Sequence, residues 1–260
     1  MITSGSNAQI KKLIQLNQKT KARRQEGLFV IEGEKMFDEA PRDWIENVYV
    51  SENYTGIIDV PHEVVKDSVF RQMSDTCTPQ GILAVLRTPV YQAEDLLRTG
   101  REKTPFLLIL EDLQDPGNLG TIFRTAEGAG VNGILMTKTC VDVTNPKVVR
   151  GTMGSIFRMP YLVIEDVKTA KQMLSPFGIR LYAACLEGTG DYDEPDYGRG
   201  TAFLIGNEGK GLTQEAIRIS DERIRIPMEG QVESLNAAMA AGILMYEASR
   251  QRRKAHAEED

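Results

Sequence analysis

From residue 105 onward, short apolar runs alternate with segments whose apolar residues recur at helical spacing. The run at residues 106–110 is apolar throughout, which is typical of a strand buried on both faces of a parallel sheet. Further strands are predicted at residues 133–136, 161–164, 179–184, 202–205 and 223–226. Helices are predicted near residues 119–130, from Pro146, near 167–175, near 213–219 and at 234–253. This alternation predicts an α/β domain with a parallel sheet at residues 105–260.

The first 88 residues carry a pattern of their own. Residues 27–33 are an apolar run between two glycines, and residues 48–50 and 82–86 are further strand candidates. A helix is predicted after the first run and ends before Pro41. Residues 1–88 are therefore predicted to form a small α/β domain. The polar stretch at residues 89–104 is typical of an interdomain linker.

Composition narrows the class of protein. The 260 residues include 31 Lys and Arg against 37 Asp and Glu, and the resulting net charge of −6 is ordinary for a globular chain. We find no apolar run of about 18 residues and no signal peptide, so we expect a cytoplasmic protein that does not bind a membrane. The three cysteines are far apart in sequence, and there are two histidines. We therefore expect no metal site, and most histidine-based hydrolase triads are excluded.

Positive charge is concentrated near the N-terminus. Residues 11–24 contain no acidic residue and six basic ones, which are Lys11, Lys12, Lys19, Lys21, Arg23 and Arg24. Apolar residues recur at helical spacing in the same segment, so one helix face is apolar and the rest is basic. Such a face is either simply solvated or a patch that binds phosphate.

Two glycine-rich segments resemble nucleotide-binding loops but have the wrong context. Residues 128–133 match G-x-G-x-x-G, yet they end a predicted helix and precede a strand, which is the reverse of a dinucleotide fingerprint. Residues 206–211 include Lys210 but lack the spacing of a Walker loop. A nicotinamide or nucleoside-triphosphate enzyme is therefore disfavoured.

Three loops that follow predicted strands carry the candidate chemistry, because open parallel sheets bind ligands at the carboxyl ends of their strands. In the first loop, Asn118 is predicted to cap a helix, and Arg124 lies among apolar residues of that helix. A buried arginine needs a partner, and Glu208 of the second loop is a candidate. In the third, Ser234 is predicted to cap the last helix and Asn236 to lie in its first turn.

Taken together, these three loops resemble the three motifs of one enzyme family. The motifs are Asn118 to Ala126 with Gly120 and Arg124, Gly206 to Leu212, and Ile226 to Asn236. They occur in the order found in the SpoU/TrmH branch of the SPOUT RNA methyltransferases. Residues 6–33 are similar to the L30e-like RNA-binding domain that is often attached to this family.

The resemblance implies a deep trefoil knot in the domain at residues 105–260 and a homodimer formed through that domain. It also implies S-adenosylmethionine as the cofactor. The cofactor-binding residues implied are Ala183, Leu204, Gly206, Gly209, Ile226, Met228 and Leu235.

The reaction implied is methylation of a ribose 2′-hydroxyl in RNA, and ribosomal RNA is the favoured substrate. The catalytic residues implied are Arg124, Asn118, Glu208, Ser234 and Asn236, and the RNA-binding residues are Lys11, Lys19, Lys21, Arg23 and Arg24. Arginine stays protonated in proteins, so we expect Arg124 to orient groups and stabilise charge. A tRNA-directed enzyme of the same family and a non-catalytic RNA-binding protein remain as alternatives.

Overall fold

A computed structural model of the chain describes residues 1–97 and 104–259. Residues 98–103 of the predicted linker lie outside the described residues. The chain divides into two compact units, Met1–Val90 with Asp142–Phe157, and Tyr91–Val141 with Arg158–Asp260. Within the described residues, no helix is both long enough and apolar enough to cross a membrane.

The N-terminal unit is built on a four-stranded sheet. Its strands are β1 (Leu28–Glu32), β2 (Ile45–Ser51), β3 (Glu63–Val65) and β4 (Ile82–Arg87), in the spatial order β1-β4-β2-β3. Its helices are α1 (Ala8–Gln18), α2 (Thr20–Glu26), α3 (Glu34–Glu39), α4 (Asp67–Met73) and, from the second segment, α7 (Pro146–Thr152). β3 runs parallel to β2, and the other neighbours are antiparallel. The predictions of β1, β2, β4 and α3 are confirmed, whereas β3 and α4 were not predicted.

The basic N-terminal segment forms two helices rather than one. Asn7 caps α1 by accepting a hydrogen bond from the backbone N–H of Gln9, and the buried Ile10, Leu13 and Leu16 form its apolar face. Gly27 ends α2 with φ +64°, a left-handed conformation that favours glycine.

The C-terminal unit contains a seven-stranded sheet in which every pair of neighbours is parallel. Its strands are β5 (Phe106–Leu110), β6 (Gly133–Thr137), β7 (Tyr161–Ile164), β8 (Arg180–Ala184), β9 (Gly190–Asp191), β10 (Thr201–Ile205) and β11 (Glu222–Arg225). Its helices are α5 (Ala93–Leu97), α6 (Pro116–Ala129), α8 (Val167–Leu174), α9 (Gln214–Ile219) and α10 (Ala237–Glu259). The strand order is β7-β6-β5-β10-β8-β11-β9. The predicted α/β class with a parallel sheet is confirmed.

The middle of this sheet is fully buried. Every residue of β5 and β10 is buried, as the continuous apolar run at residues 106–110 predicts. Because all strands are parallel, the loops after β5, β8, β10 and β11 leave from one edge of the sheet. The direction in which successive strands are added to the sheet changes between β5 and β10. The strands β5, β6 and β7 extend the sheet to one side, and the later strands β8 to β11 all lie on the other side of β5. Such a reversal is the usual place for a ligand in this class of fold.

The residues 142–157 follow β6 in sequence but pack within the N-terminal unit. Helix α7 of this segment contacts β1, and Asp142 pairs with Arg23 of α2. The sequence analysis placed these residues in the domain at residues 105–260, because no feature of residues 142–157 indicates that they pack with the N-terminal unit. The domain limits at 1–88, 89–104 and 105–260 stay predictions, as does the trefoil knot.

Candidate active site

A cavity of about 380 Å³ opens at the carboxyl ends of three adjacent strands in the C-terminal unit. Residues that follow β8, β10 and β11 line it, together with the start of α10. The lining includes Cys185, Glu187, Gly206, Glu208, Gly209, Lys210, Ile226, Met228, Glu233, Ser234 and Leu235. The cavity therefore lies where the glycine-rich and third candidate loops were predicted to meet.

Five of the seven predicted cofactor residues line this cavity, namely Gly206, Gly209, Ile226, Met228 and Leu235. Ala183 and Leu204 do not, and their side chains are fully buried in the hydrophobic core. Their neighbours Ala184 and Ile205 line the cavity instead. Successive residues of a strand point to opposite faces. A residue next to a cavity-lining residue can therefore have its side chain in the core. Ala183 and Leu204 thus lie next to the cavity lining rather than in it, and their part in cofactor binding stays a prediction.

The glycine-rich loop after β10 is held closed by backbone and amide contacts. A Cβ at Gly206 would overlap the backbone of Gly211 and Leu212, so only glycine fits there. The backbones of Asn207 and Gly211 exchange two hydrogen bonds, of 3.1 and 2.9 Å. The side-chain oxygen of Asn207 accepts from the N–H groups of Gly209 and Lys210 at 2.9 and 3.0 Å. The shape of the loop is therefore set by contacts within the protein.

Two further contacts tie this loop to the one after β5. The amide of Asn207 donates to the carbonyl of Asp112 at 2.8 Å, and Asp112 holds φ at +53°, a conformation rare for a residue with a Cβ. The buried carboxylate of Glu111 accepts from the N–H and the hydroxyl of Thr213, both at 2.8 Å. Neither Glu111 nor Asn207 was among the residues predicted from the sequence. The position of Asn207 next to a glycine turn is a signal that could have identified it.

Glu208 completes the connection between the two loops. Its carboxylate accepts from the N–H groups of Gln114 and Asp115 at 3.1 and 2.9 Å and from the side-chain amide of Asn118 at 3.1 Å. Burial raises the pKa of Glu208, but these hydrogen bonds outweigh it, and the pKa lies below its ordinary value. Glu208 is thus held as an anion by neutral donors.

The same network continues to the last helix. The side-chain amide of Asn236 donates to the side-chain oxygen of Asn118 at 2.9 Å. The oxygen of Asn236 accepts from the N–H groups of Ala238 and Met239, which caps α10. The predicted cap by Ser234 is wrong, because α10 begins at Ala237, and Ser234 instead lines the cavity.

The first motif also differs at its helix start. α6 begins at Pro116, and the carboxylate of Asp115 caps it by accepting from the N–H of Asn118 at 2.8 Å. Asn118 is therefore not the cap, and its side chain is left to join Glu208 to Asn236. The structure brings these three predicted residues into one hydrogen-bonded chain.

Arg124 lies outside that chain. Its side chain is exposed, whereas its neighbours Ile122 and Phe123 are fully buried. The predicted burial and the predicted pairing with Glu208 are both wrong, because a helix turns about 100° per residue and places position 124 on the outer face. Within the described residues, the guanidinium of Arg124 has no hydrogen-bond or ion-pair partner.

The candidate RNA-binding residues lie in the N-terminal unit. Lys11, Lys19, Lys21 and Arg24 are exposed. Arg23 is not, since 2% of its side chain is accessible. Its guanidinium donates to Asp142 at 2.6 and 2.8 Å, to the carbonyl of Leu16 at 2.7 Å and to the hydroxyl of Thr20 at 2.9 Å. The prediction that Arg23 contacts RNA phosphate is therefore wrong, because its guanidinium is enclosed and its donors are already used.

The lining of the cavity combines apolar side chains with unpaired carboxylates. Ile226, Met228 and Leu235 supply apolar surface, and Gly209, which is exposed and lines the cavity, lets a ligand approach the backbone. Glu187 and Glu233 have no ion-pair or hydrogen-bond partner for their carboxylates within the described residues. Such a lining suits a ligand that is partly apolar and carries net positive charge.

Sequence profiles of two families match this chain. The profile of the SpoU rRNA Methylase family matches residues 105–246, and that of the MRM3-like substrate binding domain matches residues 7–84. The first match contains every residue of the cavity lining, and the second contains the basic helices α1 and α2.

Individual proteins are similar over nearly the whole chain. An uncharacterised tRNA/rRNA methyltransferase of Synechocystis is 35% identical over 262 residues, covering 96% of this chain and 93% of that protein. The 23S rRNA (guanosine(2553)-2'-O)-methyltransferase RlmP of Bacillus subtilis is 32% identical over 251 residues, covering 94% and 97%. The SpoU methyltransferase AviRb from Streptomyces viridochromogenes, crystallised with AdoMet, is 25% identical with a TM-score of 0.84, covering 95% of this chain and 100% of that one.

Proposed function

The chain belongs to the SpoU rRNA methylase family, and on that basis we propose that it methylates a ribose 2′-hydroxyl of ribosomal RNA with S-adenosylmethionine. The observation that carries the proposal is the cavity at the strand ends, with its three motif loops joined by hydrogen bonds. The relative RlmP is named for 2′-O-methylation of 23S rRNA, and the structure of AviRb contains AdoMet.

The cavity fits this cofactor. Adenine requires an apolar slot with backbone groups within reach, which Ile226, Met228, Leu235 and the exposed backbone at Gly209 provide. S-adenosylmethionine carries one net positive charge, and the carboxylates of Glu187 and Glu233 complement it. The cofactor supplies a methyl group that is already activated by its sulfonium.

The motif residues then align the acceptor and exclude water. Glu208, Asn118 and Asn236 hold the two loops and the start of α10 in one arrangement. Ser234 offers a hydroxyl at the cavity wall for the ribose. Arg124 has a guanidinium without an internal partner, which suits it to RNA phosphate and to negative charge developing on the ribose oxygen.

The N-terminal unit is proposed to hold the RNA. Lys11, Lys19, Lys21 and Arg24 are exposed and have no ion-pair partner within the described residues. The match to a substrate binding domain covers the same helices. A target nucleotide in a folded RNA is expected to leave its stack to reach the cavity.

We also propose a homodimer formed through the C-terminal unit. Met239 and Tyr246 of α10 are 61% and 49% exposed, and they lie seven residues apart on one face of the helix. Large exposed apolar side chains that share a face are typical of protein interfaces. A cytoplasmic location stays a prediction.

The test is methyl transfer from radiolabelled S-adenosylmethionine to unmodified RNA, with the label mapped by RNA size and by alkali-resistant dinucleotides. Label in a large ribosomal RNA at an alkali-resistant linkage is expected. Label in tRNA favours the tRNA-directed alternative. No label, when cofactor binding is intact, favours a non-catalytic RNA-binding protein.

A further inference from the structure

Lys210 stands at the tip of the glycine-rich loop and takes no part in the hydrogen-bonded chain from Glu208 to Asn236. Of the described residues that line the cavity, it is the one with a positive charge; the other charged ones are Glu187, Glu208 and Glu233. We propose that Lys210 binds a backbone phosphate of the RNA at the methyl-transfer site. This proposal rests on the proposed function.

The position of Lys210 is fixed by its loop. Its backbone N–H donates to the side chain of Asn207 at 3.0 Å, and the next residue, Gly211, is bonded to the backbone of Asn207 in both directions. Asn207 is itself tied to the carbonyl of Asp112. The lysine stem therefore starts from a loop that is held by contacts within the protein, and little backbone freedom is lost when it binds an anion.

The charge of Lys210 is not used inside the protein. Glu208, two residues earlier, is the carboxylate closest in sequence, but Gln114, Asp115 and Asn118 already donate to it. Within the described residues, no ion pair or hydrogen bond involves the ammonium of Lys210, whose side chain is exposed. A free ammonium on a rigid loop is a suitable partner for an external anion.

The substrate brings that anion. A ribose 2′-hydroxyl lies on the carbon next to the one that carries the 3′-phosphodiester, so an acceptor ribose at the cavity necessarily brings a phosphate to its mouth. Three carboxylates in the lining repel that phosphate. An ammonium at the same mouth offsets the repulsion and fixes the register of the RNA backbone. The α-carboxylate of the cofactor is the other anion that could reach Lys210, so the test must separate the two.

The experiment compares wild type with Lys210→Gln, Lys210→Arg and a matched control. Lys168→Gln is the control, because Lys168 is an exposed lysine of the same unit that pairs with Glu215 at 2.8 Å, and neither residue lines the cavity. For each protein, the affinity for a 23S rRNA transcript is measured against salt concentration, and the affinity for S-adenosylmethionine is measured without RNA. Steady-state KM for RNA and kcat are measured where the wild type is active.

Lys210→Gln is expected to weaken RNA binding about fivefold at low salt and to reduce the salt slope by about 0.7. KM for RNA rises, kcat is nearly unchanged, and cofactor affinity is unchanged. Lys210→Arg restores RNA binding, and Lys168→Gln behaves as wild type. An unchanged salt slope in Lys210→Gln overturns the proposal, and so does weaker cofactor binding in the absence of RNA. If the wild type binds RNA but transfers no methyl group, that result counts against the proposed function. The proposal for Lys210 is then decided by the salt dependence of RNA binding alone.

Discussion

Two arginines, one on a helix of each compact unit, have opposite surroundings. Arg23 of α2 is enclosed, and its donors are directed to Asp142, Leu16 and Thr20. Arg124 of α6 is exposed and has no partner within the described residues. The first guanidinium contributes to the architecture of its unit, and the second is free for an external anion. We expect this contrast to separate residues that stabilise the fold from residues that contact the RNA.

The largest expected effect is on stability at Arg23. Arg23→Met removes the ion-pair partner of Asp142, whose side chain is 10% accessible, and this is expected to lower the free energy of unfolding by about 3 kcal/mol. Urea unfolding followed by circular dichroism measures it. Arg24→Met, at the exposed neighbouring position, is the matched control and changes stability by less than about 0.5 kcal/mol. If both variants lost the same small amount of unfolding free energy, Arg23 would have no special role in the stability of its unit.

The next effect is on catalysis at Arg124. Arg124→Ala is expected to lower kcat by about 10²–10³, the usual loss when a group that stabilises developing charge is removed. Its unfolding free energy stays within about 0.5 kcal/mol of wild type, because the side chain is exposed. Single-turnover methyl transfer gives the rate. Arg158→Ala is the control, since Arg158 pairs with Glu127 of the same helix; a comparable loss of activity there would argue against a specific role for Arg124.

A smaller effect is expected where the exposed charges of α2 are neutralised and Arg23 is kept. The triple variant Lys19→Gln, Lys21→Gln and Arg24→Gln should reduce the salt slope of RNA binding by about 2, roughly 0.7 for each phosphate that is no longer neutralised. Filter binding at several salt concentrations measures the slope, and urea unfolding checks that the fold is intact. If the slope equals that of wild type, this helix face is only solvated.

The smallest effect concerns pH and Glu208. The pKa of Glu208 in the folded protein lies below the ordinary value of 4.5. Glu208 therefore stays ionised in the folded protein as the pH falls to 4.5. Its stabilising contribution is present above the ordinary pKa and is lost as the pH drops through the lower, folded value. The part of the unfolding free energy that depends on Glu208 should be constant from about pH 8 to about 5 and fall at lower pH, below the ordinary pKa of 4.5. Urea unfolding of wild type and Glu208→Gln measures it: the variant should be less stable at about pH 7, and the difference between the two proteins should shrink in acid.

Local patterns predicted the parallel sheet and the ligand-binding loops, and the resemblance to the SpoU/TrmH motifs supplied the residues expected to bind the cofactor. Apolar runs mark the buried strands, and glycines mark the loop that approaches a ligand closely. The faces of β8 and β10 could not be predicted, because strands that are apolar throughout show no alternation, and Ala183 and Leu204 were assigned one position away from the cavity. Arg23 and Arg124 were misplaced for a different reason. The partner of Arg23 is 119 residues away, and nothing local to α2 indicates it.

The two-segment composition of the N-terminal unit limits how it can be exchanged. A chimera that joins residues 1–90 of this protein to the catalytic half of a relative would leave Arg23 facing a foreign residue at position 142, and β1 against a foreign α7. Recombination at the linker alone is therefore expected to give unstable hybrids, whereas moving residues 142–157 together with residues 1–90 keeps the unit whole. Substitutions at Arg23 are therefore expected to require matching changes at Asp142, so the two segments of this unit should vary together among related proteins.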